Sequence, residues 1–203
     1  MNKKLISVNN KDVKAFYQLT LKSKHRKNSK TFLIEGLREI KLAINNNWVI
    51  KHLLYCPSII KEADLDNSFN NEIEKIEVSL EVYQKLAYRK STEGVIAITN
   101  CKKNDLKNIK FKSNNPLIIV IEAPEKPGNI GAILRTADAA NIDAVIIANP
   151  KTDLYNPNII RSSVGSLFTN NIYCGDTMEV ISFLKQKNIT IYASSLQAND
   201  LYH

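Results

Sequence analysis

Apolar positions recur along this chain with two different periods. Val13, Phe16, Tyr17, Thr20 and Leu21 return at helical spacing behind a capping Asn10, which predicts a helix over Lys11 to Leu21. A polar, basic loop follows, and then the strand-like run Thr31 to Ile34. Leu37, Ile40, Ala43 and Ile44 make a second helical face that Asn45, Asn46 and Asn47 stop. A strand at His52 to Cys56, a helical piece around Ile59 to Ala63 and an alternating strand at Ile73 to Ser79 continue the rhythm. Ser79 caps a helix carrying Leu80, Tyr83 and Ala87, and a strand at Val95 to Thr99 closes a first α/β/α unit.

The pattern then breaks. Cys101 to Asn115 carries five lysines and several asparagines and reads as a linker, dividing the chain into a domain over 1–100, a linker over 101–115 and a second domain over 116–203. Leu117 to Ile121 and Ala144 to Ala148 are continuous Ile/Val runs, the signature of parallel strands buried on both faces. Between them, Ala123 to Ile142 reads as turn and crossover helix: Pro127 and Gly128 mark the turn, and Ile130, Ile133, Leu134 and Ala137 form the apolar face. Asn156 and Pro157 begin another helix. A strand at Ile172–Tyr173, a helix over Met178 to Leu184 and a strand at Thr190 to Ala193 complete the series.

Composition adds a compartment and a partner. Three scattered cysteines, Cys56, Cys101 and Cys174, show neither disulfide nor zinc spacing, and no metal site is expected from His25, His52 and His203. No apolar run approaches a membrane span, so the expected location is the cytoplasm. A net charge of +8 and a pI near 9.3 point to a polyanion. The charge concentrates at Lys22, Lys24, His25, Arg26, Lys27 and Lys30, a density suited to straddling phosphates, and further basic groups stand at Arg38 and Arg89. The chain has no Gly-rich dinucleotide fingerprint, Walker loop, HExxH, GxSxG or CxxC, which removes those chemistries.

What remains is the polar side of the central helix, Asn129, Arg135 and Asp138, and the later run Arg161 to Phe168. In Asn129, Gly131, Arg135 and Ala137, followed by Arg161, Ser163, Gly165, Ser166, Leu167 and Phe168, the chain resembles the SpoU (TrmH) family of RNA ribose 2′-O-methyltransferases, members of the knotted SPOUT superfamily. Asn141 stands where that family usually has glycine, and asparagine tolerates the left-handed backbone such a position needs. Phe32 to Gly36, Arg38–Glu39 and the segment Ser91 to Val95 are similar to the family's substrate-binding domain, itself like ribosomal proteins that bind kinked RNA.

The resemblance implies a small α/β/α RNA-binding domain followed by a Rossmann-like parallel sheet that stops before the trefoil knot. It implies S-adenosylmethionine as cofactor and structured RNA, above all ribosomal RNA, as substrate. Arg135 and Asn129 become the catalytic pair, Arg161 and Ser163 contacts to RNA or a neighbouring subunit, and a homodimer the expected assembly, weakened or lost without the knot. The family's cofactor-holding segments would fall beyond His203, so no cofactor residue is assigned. Methylation of a ribose 2′-hydroxyl is one expectation; a non-catalytic RNA-binding protein related to such an enzyme is the alternative.

Overall fold

The computed structural model describes residues 3–66, 68–69, 73–88, 93–111 and 113–194. Among them the chain lays down a first sheet from β1 (Lys3–Leu5), β2 (Thr31–Glu35), β3 (Ile50–Tyr55), β4 (Glu74–Val78) and β5 (Val95–Asn100), in the order β1-β4-β3-β5-β2. β4 runs parallel to β1 and β3, whereas β5 is antiparallel to β2 and β3. The helices are α1 (Lys11–Leu21), α2 (Ser23–Ser29), α3 (Leu37–Asn45), α4 (Glu62–Asp66) and α5 (Leu80–Leu86). The strand period of two decides which layer each residue joins. Ile96 and Ile98 pack with Val13, Val82 and Tyr83 under α1 and α5, while Val95 and Ala97 turn to the opposite core.

A second sheet of β6 (Ile118–Glu122), β7 (Ala144–Ala148) and β8 (Ile172–Gly175) is parallel throughout, in the order β6-β7-β8. It carries α6 (Pro127–Ala139), α7 (Pro157–Ser163) and α8 (Ser166–Thr169) toward the first sheet and α9 (Thr177–Gln186) on the other side. One core crosses the boundary between the sheets. The Phe32 ring stacks on Tyr155 at 4.5 Å, Trp48 meets Phe168 edge-on at 5.4 Å, and Trp48 Nε1 donates to the Phe168 carbonyl at 3.2 Å. Aromatic burial of this size dominates an interface: each ring hides roughly 150–250 Å².

Several expectations are corrected. The basic loop is helix α2, and its Arg26 is buried rather than facing phosphate. Arg26 Nε meets Asp153 Oδ2 at 2.5 Å and Nη1 donates to the Leu19 carbonyl at 2.6 Å, partners that local sequence does not reveal. The linker is stitched down: Cys174 N–H donates to the Asn104 carbonyl at 2.7 Å, and Leu106–Asn108 form a short 3₁₀ turn against β8. β6 is not buried on both faces. It is the edge of the described sheet, with Leu117 61% and Val120 42% exposed.

The piece expected at Ile59 to Ala63 begins only at Glu62, and Thr190 to Ala193 lie outside any strand. Tyr83 is buried as expected, but Leu80 points outward, and Val82 and Leu86 complete the buried face of α5. β1 was not predicted from the pattern. Arg89, Ser91 and Thr92 fall outside the described residues.

Candidate ribose-methylation site

The helix that carries Arg135 starts where β6 ends. Ala123, just past the strand, holds φ +44° and donates its N–H to the Ala148 carbonyl at 2.8 Å, so the chain turns tightly over the sheet's carboxyl edge. Pro127 at the first helical position needs no N–H partner, and its fixed φ suits a helix start. Ile130, Gly131, Leu134 and Ala137 are buried at helical spacing, which leaves Asn129 and Arg135 exposed. Past the helix, Asn141 takes φ +51°, the left-handed backbone anticipated for that position.

Gly131 sets how closely α7 approaches. A Cβ there would lie 2.0 Å from Ser162 Oγ and 2.7 Å from the Ser162 carbonyl carbon, so only glycine admits this contact. The contact places the Ser162 carbonyl under Arg135, and Arg135 Nη1 donates to it in a short hydrogen bond. That carbonyl lies in the last turn of α7, where carbonyls have no helical partner and the helix dipole favours a cation. Val164 and Gly165, at φ +51° and +91°, then reverse the chain into α8. Asn170 Nδ2 donates to the Leu134 and Ser166 carbonyls at 3.0 and 2.7 Å, and Thr169 Oγ1 donates to Asp138 at 2.5 Å, so α6, α7 and α8 form one fixed block behind Arg135.

Other expected residues fall in different places. Asn129 sits six residues before Arg135, about 9 Å along the axis and about 120° around it, so it does not hold that guanidinium. Glu122, at the end of β6, accepts from Asn149 Nδ2 at 3.2 Å and Thr177 Oγ1 at 2.5 Å and so is turned toward β7 and α9. Ser163 is fully buried and donates to the Ile160 carbonyl at 2.9 Å, which removes it from contact with RNA; its neighbour Ser162 is the residue that meets Arg135. Arg161 is exposed, with its guanidinium 6.0 Å from the Tyr88 ring, and Arg38 reaches across to donate to the Val164 carbonyl at 3.1 Å. Lys24, His25, Lys27 and Lys30 are exposed on or beside α2.

Among the described residues no group of three or more His, Cys, Asp or Glu is placed to hold a metal ion, and no helix is long and apolar enough to cross a membrane. Nor do they wall a cofactor slot beside Arg135: a Cβ added at Gly128 would meet nothing within 4 Å, and Asn129 and Arg135 face outward. The nearby groups therefore do not by themselves fit around S-adenosylmethionine.

Residues 10–97 match the MRM3-like substrate binding domain and residues 116–203 the SpoU rRNA Methylase family. The chain is 26% identical over 195 residues to a 23S rRNA guanosine 2′-O-methyltransferase of Bacillus subtilis, an alignment covering 96% of this chain and 74% of that protein. It is 32% identical over 142 residues to a 23S rRNA uridine 2′-O-methyltransferase of Streptomyces viridochromogenes, spanning 68% of this chain and 48% of the relative. A crystal structure of an RNA 2′-O ribose methyltransferase superposes with a TM-score of 0.79 at 34% identity, over 98% of this chain and 76% of that one. The SpoU methyltransferase AviRb of Streptomyces viridochromogenes, solved in complex with AdoMet, superposes with a TM-score of 0.80 at 26% identity, over 89% and 69%. With its substrate-binding domain, its parallel sheet and Arg135 in place, this chain belongs to the SpoU family of RNA ribose 2′-O-methyltransferases, whose cofactor is S-adenosylmethionine.

Proposed function

We propose that this chain serves methylation of a ribose 2′-hydroxyl in structured RNA, with ribosomal RNA as the substrate class, in the cytoplasm. The observation that carries the reading is Arg135: an exposed guanidinium whose position is fixed by a helix-terminal carbonyl in a family whose reaction builds negative charge on a ribose oxygen. Guanidinium has no lone pair to take a proton, so Arg135 is not the base. It has five N–H donors. One is held by Ser162, which leaves the others aimed by that anchor at an RNA phosphate and at the 2′-oxygen as it sheds its proton. Fixed donors of this kind stabilise developing charge without reorganising. S-adenosylmethionine supplies the electrophilic methyl group when bound.

The test is methyl transfer from labelled S-adenosylmethionine to ribosomal RNA, followed by mapping of alkali-resistant linkages. Arg135→Ala is expected to lower the rate by roughly 10²- to 10³-fold, the cost of losing one fixed donor to developing charge. Wild-type turnover by that variant would sink the assigned role. The open space around Gly128 favours a second reading, RNA binding without methylation. Salt-sensitive RNA binding with no transfer and no heat on titration of S-adenosylmethionine would establish it. A homodimer, the family's expected assembly, is checked by sedimentation.

A further inference from the structure

A groove of about 360 Å³ opens where the two sheets meet, lined by no residue of α6, α7 or α8. One wall comes from α2 and its cap: Ser23 and Lys27, at i and i+4, share a helix face, and Lys30 follows as the left-handed C-cap. The opposite wall is the loop after β7, with Pro150, Lys151 and Thr152, and the floor holds Asn104, Tyr155 and Cys174. Its cations are Arg26, Lys27, Lys30 and Lys151 against one carboxylate, Asp153, which Arg26 already neutralises at 2.5 Å. Three exposed lysines are left. The groove runs on past Pro150, Lys151 and Cys174 to Asn149 and Gly175 at the carboxyl ends of β7 and β8; Asp176 at that far end caps α9 by accepting from Met178 N–H at 2.8 Å.

The walls are held before any ligand arrives. Arg26–Asp153 joins α2 to the loop, and the Tyr155 hydroxyl accepts from Lys102 N–H at 3.0 Å and donates toward Asn104 Oδ1 at 2.9 Å. A pre-ordered cationic channel binds without the entropy cost of assembling it. Lysines with hydroxyl and amide donors beside them suit phosphodiesters.

We infer that the groove between the two domains, lined by Lys27, Lys30 and Lys151, is a second RNA-backbone site that fixes the substrate's path outside the block of α6, α7 and α8 that carries Arg135. The inference rests on the RNA-directed function proposed above. It divides the basic run of α2 into a set that tracks the strand, Lys27 and Lys30, and an outward set, Lys24 and His25, and it adds Lys151, which the charge pattern alone does not single out.

The experiment compares wild type with K27Q/K30Q/K151Q and with a control of equal charge change, K11Q/K14Q/K187Q, on a structured ribosomal RNA fragment across a salt series. The groove variant is expected to bind at least tenfold more weakly at about 0.1 M salt, and its plot of log K against log salt to flatten by about 2–3, as three lost phosphate contacts require. The control should keep both values. Unchanged affinity and slope in the groove variant, or equal losses in the control, would overturn the site while leaving wild-type RNA binding intact. A wild type without salt-dependent RNA binding would overturn the functional reading and the site together.

Discussion

Two arginines of this chain belong to opposite regimes. Arg26 lies in the junction between the sheets with its side chain only 4% exposed, paired with a carboxylate 9% exposed, whereas Arg135 stands on the surface and is anchored by one carbonyl. A buried ion pair contributes little net stability, because desolvation cancels most of the attraction, but losing one partner strands the other charge. An exposed, anchored guanidinium costs the fold almost nothing to remove. The junction thus holds the domains in one arrangement, and α6 displays the group proposed to act on the ribose.

The largest expected effect breaks the junction. Arg26→Met should destabilise by about 3–5 kcal/mol, since Asp153 would stay buried without its partner. For a chain of this size that is a fall in thermal midpoint of roughly 6–20 °C, at about 2–4 °C per kcal/mol. Joining it to Asp153→Leu should restore most of the loss. A single variant that melts within a degree or two of wild type would show that the pair does not hold the junction.

Gly131→Ala comes next. The new methyl group cannot sit 2.0 Å from Ser162 Oγ, so α7 must shift, at a cost of about 1–3 kcal/mol in overpacking. Because α7 supplies the carbonyl under Arg135, methyl transfer should fall by more than the lost stability explains, and by more than RNA affinity falls. Equal losses in all three would make Gly131 a packing residue alone.

Asn141→Ala should cost on the order of 1 kcal/mol, because its φ of +51° disfavours a residue that cannot hydrogen-bond locally. Asn141→Gly should not destabilise, which chemical denaturation of the pair of variants would check. The smallest effect concerns the thiols at the junction. Burial pushes Cys101 up to about 12 and Cys174 up to about 11, so both keep their protons in the fold at pH values where the unfolded chain releases them. Stability from this source is intact below about pH 8.5 and declines as pH rises toward 11. Alkylation at pH 8 should accordingly be slow in the native protein and fast after unfolding.

Much of this architecture was legible in local pattern. The bounds of α1 and β7 and the start of α7 follow from caps and apolar spacing: Asn10 accepts from Asp12 N–H, and Asn156 from Asn158 N–H, where the sequence places caps. What escaped depends on neighbours remote in sequence. Arg26 looked like its fellow cations until Asp153, 127 residues away, made it a core residue. Ser163 and Ser162 differ by one position, which is about 100° around a helix and decides between burial and contact with Arg135. The edge position of β6 follows from strand order, which an Ile/Val run does not encode. At the site, the motif located Arg135, but its anchor is a backbone carbonyl, and backbone carries no sequence signature.

Arg135, held by the end of α7, is assigned to the ribose oxygen and not to the stability of the fold. Side-by-side assays of wild type and Arg135→Ala for labelled methyl incorporation into ribosomal RNA, with thermal unfolding of the same samples, test it most directly. The account predicts stability within about 0.5 kcal/mol of wild type together with a loss of transfer of roughly 10²-fold or more. A variant that methylates at the wild-type rate, or one that loses activity only because it unfolds, would contradict it.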